Sequence, residues 1–258
     1  MSLVFFDLEG TLTDRLRQLP SSAEQAIRLL KRNGHKAFLC TGCSMAEIPY
    51  NVRHIAFDGI IAAGGASIHV KDQVVLETII PPDWLDALLP RLERAPIDVW
   101  LEGPEHLYVS SLSETPFFKR LISYMGLEKS VFRDWHLPMV KANKFTYWVR
   151  DLVGFGPTRD LLTQHFDLIE RDSSIGEALP KGINKGSGIV QLIHHYGWES
   201  DDTYAFGDSE NDLSMCRQVN HPIAMASGSP ALIQVCDYVA PPPEEDGIYL
   251  ALSHYHLI

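Results

Sequence analysis

Only four of the 258 residues are cysteine, at positions 40, 43, 216 and 236, too few to build a disulfide scaffold in a chain this long. Positive charge is scarce as well: 22 Lys and Arg stand against 33 Asp and Glu, a formal net charge of -11. Nucleic-acid partners are met by an excess of basic residues, so this balance excludes them from the expected function. No run of about 18 apolar residues occurs, so no membrane partner is expected. The apolar stretch Leu3-Val4-Phe5-Phe6 is too short for a signal peptide, which makes a cytoplasmic location the expectation. Internal repeats and low-complexity tracts are also missing.

What is present suits a well-packed globule: 45% hydrophobic and 21% charged residues. The length admits one large α/β domain, or a core carrying a smaller inserted module. Cys40-Thr41-Gly42-Cys43 forms a C-x-x-C, but no second pair or histidine pair at ligand spacing accompanies it. A redox dithiol at a strand-to-helix turn stays open, with coincidence the preferred reading.

The first and last segments alternate strand and helix. Leu3–Phe6, Lys36–Cys40 and Gly59–Ala62 read as buried strands, the third entering the turn Gly64-Gly65. Ser21-x-x-Glu24 has capping-box spacing, and Ala23, Ala26, Ile27 and Leu30 give the following helix an apolar stripe. Later come a helix from about Lys185 to Tyr196, strand Thr203–Phe206, a helix from about Asn211, strand Pro222–Met225, a helix opened by Ser229-Pro230, and strand Asp237–Ala240. This rhythm predicts an α/β fold with a doubly wound, mostly parallel, Rossmann-like sheet.

Between these parts lies a block of different texture, from Pro81-Pro82 to about Pro180-Lys181-Gly182. It reads as helix Trp84–Arg94, strands Ile97–Leu101 and His106–Ser110, a helix around Phe117–Met125, strand Phe145–Arg150, a helix near Thr158–His165 and strand Phe166–Arg171. Paired strands with helices to one side predict an inserted α+β domain over 81–183, splitting the core into 1–80 and 184–258.

In an open α/β sheet, ligands gather beyond the carboxyl ends of the strands. Asp7 and Glu9 follow the first strand, Thr41 the second, and Asp208 a later one, while Lys185 opens a helix where its charge adds to the dipole. Lys181 is a rival for that lysine, although Lys185-Gly186 at a helix start fits better. Together these groups offer a nucleophile, a general acid, a metal site and donors, as phosphoryl transfer requires.

In chain order, Asp7-Leu8-Glu9-Gly10-Thr11-Leu12, Thr41-Gly42, Lys185-Gly186 and Gly207-Asp208-Ser209-Glu210-Asn211-Asp212 resemble the four motifs of the haloacid dehalogenase superfamily. The insertion, with Ala224-Met225 and Asp246-Gly247, resembles its Cof-type branch with a class IIB cap. The resemblance implies a phosphatase of small phosphorylated metabolites, of the sugar-phosphate or cofactor-phosphate class, in which Asp7 forms an aspartyl-phosphate. It implies that Glu9 is the acid and base, and that Thr41 and Lys185 hold the transferring oxygens. Gly10, Gly42 and Asn211 would complete the substrate site. It also implies Mg²⁺ on Asp7, the main-chain carbonyl of Glu9 and Asp208, braced by Asn211 and Asp212.

Three positions depart from that pattern: Glu9 replaces the usual Asp, Cys43 stands where Thr-Gly is often followed by Arg, and Gly64-Gly65 replaces a frequent Asn-Gly. A phosphomutase and a phospho-receiver or regulatory binding module are the alternatives on the same fold, and a homodimer is admissible.

Overall fold

The computed structural model describes residues 1–14, 16–110, 120–123, 125–170, 173–198 and 202–258. They divide into two compact units, one of 1–42, 50–76 and 184–258, the other of 43–49 and 77–183. The loop 43–49 falls in the second unit, although it lies within the first part of the core as expected from sequence.

The first unit is built on eight strands: β1 (Leu3–Phe6), β2 (Lys36–Cys40), β3 (Gly59–Ala62), β4 (Ser67–Val70), β5 (Gln73–Glu77), β12 (Thr203–Gly207), β13 (His221–Met225) and β14 (Tyr238–Ala240). Their order is β14-β13-β12-β1-β2-β3-β4-β5, and every pairing from β14 to β3 is parallel. Helices cover such a sheet on both faces, which is why β1 is a continuous apolar run with all four residues buried. Phe5 and Phe38 stack at 5.2 Å between ring centroids, inside a core that also takes Leu3, Ile61, Ile189, Leu192 and Ala205.

Helix α1 (Ser21–Arg32) buries Ala23, Ala26, Ile27 and Leu30, as its stripe predicts. Its start differs from the expected capping box. Pro20 occupies the cap position with no side-chain cap bond, and Ser21 is already helical. The fixed φ of proline, here -61°, sets the entry instead.

Strands β4 and β5 carry no strong sequence signal. They are linked by Lys71-Asp72, with Lys71 left-handed at φ 55°, a tight reversal without the usual Asn-Gly. In place of the helix expected from Asn211, a 3-10 turn (Glu210–Asp212) leads into a single helical turn, Leu213–Cys216.

The second unit holds β6 (Ile97–Glu102), β7 (Leu107–Val109), β8 (Phe132–Asp134), β9 (Lys144–Val149), β10 (Phe166–Glu170) and β11 (Ile175–Pro180), in the order β10-β11-β9-β6-β7-β8. The sheet is antiparallel apart from the β7–β8 pair. Helices α2 (Pro82–Leu92) and α3 (Leu152–Leu162) accompany it, with Leu85, Leu88, Leu92, Phe155 and Leu162 in a core with Phe145 and Tyr147. Helix α3 starts earlier than its sequence suggests, because Asp151 caps it by accepting from the Val153 amide while Gly154, Gly156 and Pro157 disguise the first turns. Of the helix expected around 117–125, residues 111–119 and 124 lie outside the described residues, and 120–123 are helical.

This unit encloses a charged network. The Lys144 ammonium contacts the Glu177 carboxylate and lies 3.2 Å from Glu102 Oε2. Thr146 Oγ1 and Trp100 Nε1 donate to Glu102 Oε1 at 2.5 and 3.3 Å. Glu47, from the loop 43–49, accepts from the amide and hydroxyl of Ser44 and shares a hydrogen bond with Glu102. Burial pushes the Glu47 carboxyl well above its ordinary range, and the neighbouring Glu102 adds to the push.

Candidate active site

Three adjacent parallel strands deliver the functional groups to one edge of the first sheet. In register, Phe6 stands beside Leu39 and Phe206, so Asp7, Thr41 and Asp208 all leave the carboxyl ends of neighbouring strands. Asp7 is 5% exposed and its amide donates to the Phe206 carbonyl at 2.9 Å. Thr41 is buried at the end of β2, where its amide donates to Ile61 and its carbonyl accepts from Gly64. Gly42 follows it in the same unit.

Helix α4 (Lys185–Tyr196) contributes the cation. Asn184 Oδ1 accepts from the Ser187 amide at 2.9 Å, and Ser187 Oγ accepts in turn from the Asn184 amide at 3.0 Å, a complete capping box. That cap fixes Lys185 as the first helical residue. Its Nζ donates to Asp7 Oδ1 and Asp212 Oδ1, both at 2.5 Å, and to Asn211 Oδ1 at 3.3 Å. Lys181, the rival, is exposed.

Asp212 does more than sequence reasoning assigned to it. While Oδ1 holds Lys185, Oδ2 accepts from the Asp208 and Ser209 amides, each at 3.0 Å. One buried carboxylate thus fixes the lysine and the backbone that presents Asp208. The spacing from 208 to 212 gave the only hint of this. Ser209 Oγ donates to Asn211 Oδ1 at 2.8 Å, which orients that amide toward Lys185.

Carboxylate oxygens of Asp7, Asp208 and Asp212 lie within 4.8 Å of one another. All-oxygen, anionic donors suit a hard divalent cation such as Mg²⁺. Both oxygens of Asp212 already have partners. Burial, followed by the charge of Asp212, pushes the Asp7 carboxyl well above its ordinary range, and Lys185 opposes the push. For Lys185 burial works against the charge, but Asp212 and Asp7 overcome it and raise its pKa well above the usual value. The site therefore concentrates negative charge that one lysine only partly offsets, as a cation site should.

Gly10 has φ +79°, and its backbone runs against the Asp208 carboxylate. The Glu9 carboxylate is not among the three clustered ones. Its Oε1 pairs with Arg17 Nη1 at 2.6 Å, a contact that no motif announced. The C-x-x-C is not a disulfide: Cys40 and Cys43 are both buried free thiols, and burial pushes the Cys40 thiol up, opposite to a reactive thiolate.

The same architecture recurs among known proteins. The family model for haloacid dehalogenase-like hydrolases matches residues 4–252. The Bacillus subtilis (strain 168) protein YkrA, named as a phosphatase, is 25% identical over 99% of this chain and 98% of its own. A phosphoglycolate phosphatase of Methanothermobacter thermautotrophicus is also 25% identical, over 99% of each chain. Among solved structures, a Geobacillus kaustophilus HTA426 protein superposes with a TM-score of 0.87 at 23% identity, covering 99% of both chains. A subclass IIB sugar phosphatase of the haloacid dehalogenase superfamily gives 0.85 at 24% identity, covering 100% of both. With a family match over nearly its full length, the chain belongs to the haloacid dehalogenase-like hydrolases.

Proposed function

We propose that the protein hydrolyses phosphate monoesters of small metabolites through an aspartyl-phosphate on Asp7. The observation that carries this reading is the buried Asp7 carboxylate at the end of β1, held 2.5 Å from Lys185 and within 4.8 Å of the Asp208 and Asp212 carboxylates. Relatives named as phosphatases, one of them for phosphoglycolate, support a small phosphorylated metabolite as substrate, and the sugar-phosphate class is the one named for a structural neighbour.

In this reading one Asp7 oxygen forms a bond to phosphorus as the ester P–O bond breaks, and a proton on Glu9 passes to the leaving oxygen. A water then attacks phosphorus, its proton returns to Glu9, and the bond to Asp7 breaks to release phosphate. Lys185 and the Thr41 hydroxyl hold equatorial oxygens in both steps, and Asn211 keeps the lysine on line. Asp7, Asp208 and the main-chain carbonyl of Glu9 would hold Mg²⁺, which would supply the positive charge that lets a carboxylate approach a phosphate dianion. Asp212 braces Asp208 from behind. The second unit, 43–49 and 77–183, is assigned the choice of leaving group. No feature of the site favours a phosphomutase or a receiver over this reading.

Phosphate release from a panel of sugar, nucleotide, flavin and pyridoxal phosphates with Mg²⁺ tests it. Release by the wild type and none by Asp7→Asn, with the fold retained, is expected. Equal turnover by the variant would reject the mechanism.

A further inference from the structure

Glu9 carries one more rotatable bond than aspartate, so its acid function needs something to fix the carboxylate. The chain supplies that a few residues on. Asp14 Oδ1 accepts from the amides of Leu16 and Gln18, both at 2.8 Å, and the Asp14 amide donates to the Gln18 carbonyl at 3.0 Å. Inside this loop Arg17 is left-handed, φ 59°, a conformation that side-chain-bearing residues seldom adopt. The Arg17 side chain is 14% exposed, and Nη1 lies 2.6 Å from Glu9 Oε1. Glu9 itself is tied at the backbone, through a bridge to Thr13 and the Gly10 amide donating to the Thr13 carbonyl at 2.9 Å.

We propose that Arg17 is a positioning residue for Glu9, holding Oε1 so that Oε2 is the atom that exchanges the proton. The proposal rests on the phosphatase reading above. The contact is single-pronged: Arg17 Nη2 is buried and makes no hydrogen bond. A two-pronged clamp would engage both carboxylate oxygens, whereas this contact engages Oε1 alone. With one prong, Arg17 removes the rotational freedom of the longer side chain while Oε2 stays free to receive and give. A purely structural ion pair on a partly exposed carboxylate would contribute little to stability and nothing selective to chemistry.

The leaving-group dependence of kcat/KM separates the two roles, because a poor leaving group needs the proton and a good one does not. Arg17→Gln, Arg17→Lys and Glu9→Gln are compared on the full chain with phenyl phosphate and p-nitrophenyl phosphate. Arg17→Gln is expected to lower kcat/KM about 10- to 100-fold for phenyl phosphate and far less for p-nitrophenyl phosphate, with Tm unchanged. Arg17→Lys, which keeps a donor, should recover most of the loss. Equal losses on both substrates, no recovery by lysine, or wild-type rates in Arg17→Gln would overturn the assignment. Should Glu9→Gln run at the wild-type rate, the acid role of Glu9 falls. A slow Glu9→Gln beside an unimpaired Arg17→Gln removes only Arg17.

Discussion

A β-carbon on Gly10 would stand 2.4 Å from Asp208 Oδ2, closer than any real contact of that kind. The close approach of these two residues joins the turn after β1 to the end of β12, and it requires both a missing side chain and a positive φ. Gly10→Ala should therefore push Asp208 out of place. An Mg²⁺ activation curve shifted to about 10- to 100-fold higher concentration is expected. An unchanged curve would show that the approach has no bearing on the cation.

Asp212 and Asp208 should respond in opposite ways to the loss of charge. Asp212 is buried and engaged on both oxygens, so Asp212→Asn leaves Lys185 or the loop amides unsatisfied and should cost about 3–5 kcal/mol in urea unfolding without metal. Asp208 adds to the repulsion that raises the Asp7 pKa. Asp208→Asn should thus leave metal-free stability within about 0.5 kcal/mol of wild type, or above it, while Mg²⁺-dependent turnover disappears. Matching destabilisation in both variants would contradict this division of labour.

The network in the second unit should make stability depend on pH. Folding raises the Glu47 pKa, so the folded chain keeps a proton that the unfolded chain releases above its ordinary value of 4.5. Stability then falls as pH rises from that value toward the raised one, by at most about 1.4 kcal/mol per pH unit from this group. Asp7 contributes in the same direction, so the informative quantity is the difference between wild type and Glu47→Gln. The variant should lose part of the slope above pH 4.5. Identical slopes would place the proton elsewhere.

Lys144 is the cation that makes this network tolerable. Only 3% of its side chain is exposed, and the carboxylates of Glu102 and Glu177 lie against it. Lys144→Ala should cost about 3–5 kcal/mol, because uncompensated carboxylates stay buried. A loss below about 1 kcal/mol in denaturant titration would mean that water or rearrangement satisfies them.

Much of this was legible in the residues themselves. The all-apolar β1 followed at once by Asp7, the glycine turn at 10, and the lysine opening a helix after Asn184 each express a local rule of strand, turn or cap. So does the Gly207-Asp208 pair ending β12. What stayed hidden depends on contacts between distant residues or on weak local signals. Nothing in the identity of Arg17 announces its contact with Glu9. Asp212 reads as one more acidic residue in an acidic turn until both its oxygens are traced. The hairpin through Lys71-Asp72 lacks turn glycine, and helix α3 opens through two glycines and a proline that locally argue against it. The buried partners of Lys144 come from two strands and a loop, so their meeting belongs to tertiary structure alone.

The most direct measurement is acid quenching during steady turnover, followed by hydroxylamine treatment and peptide mapping. The account predicts a phosphate-dependent hydroxamate on Asp7, absent in Asp7→Asn. Turnover that leaves Asp7 unmodified, or a label on any other residue, would contradict it.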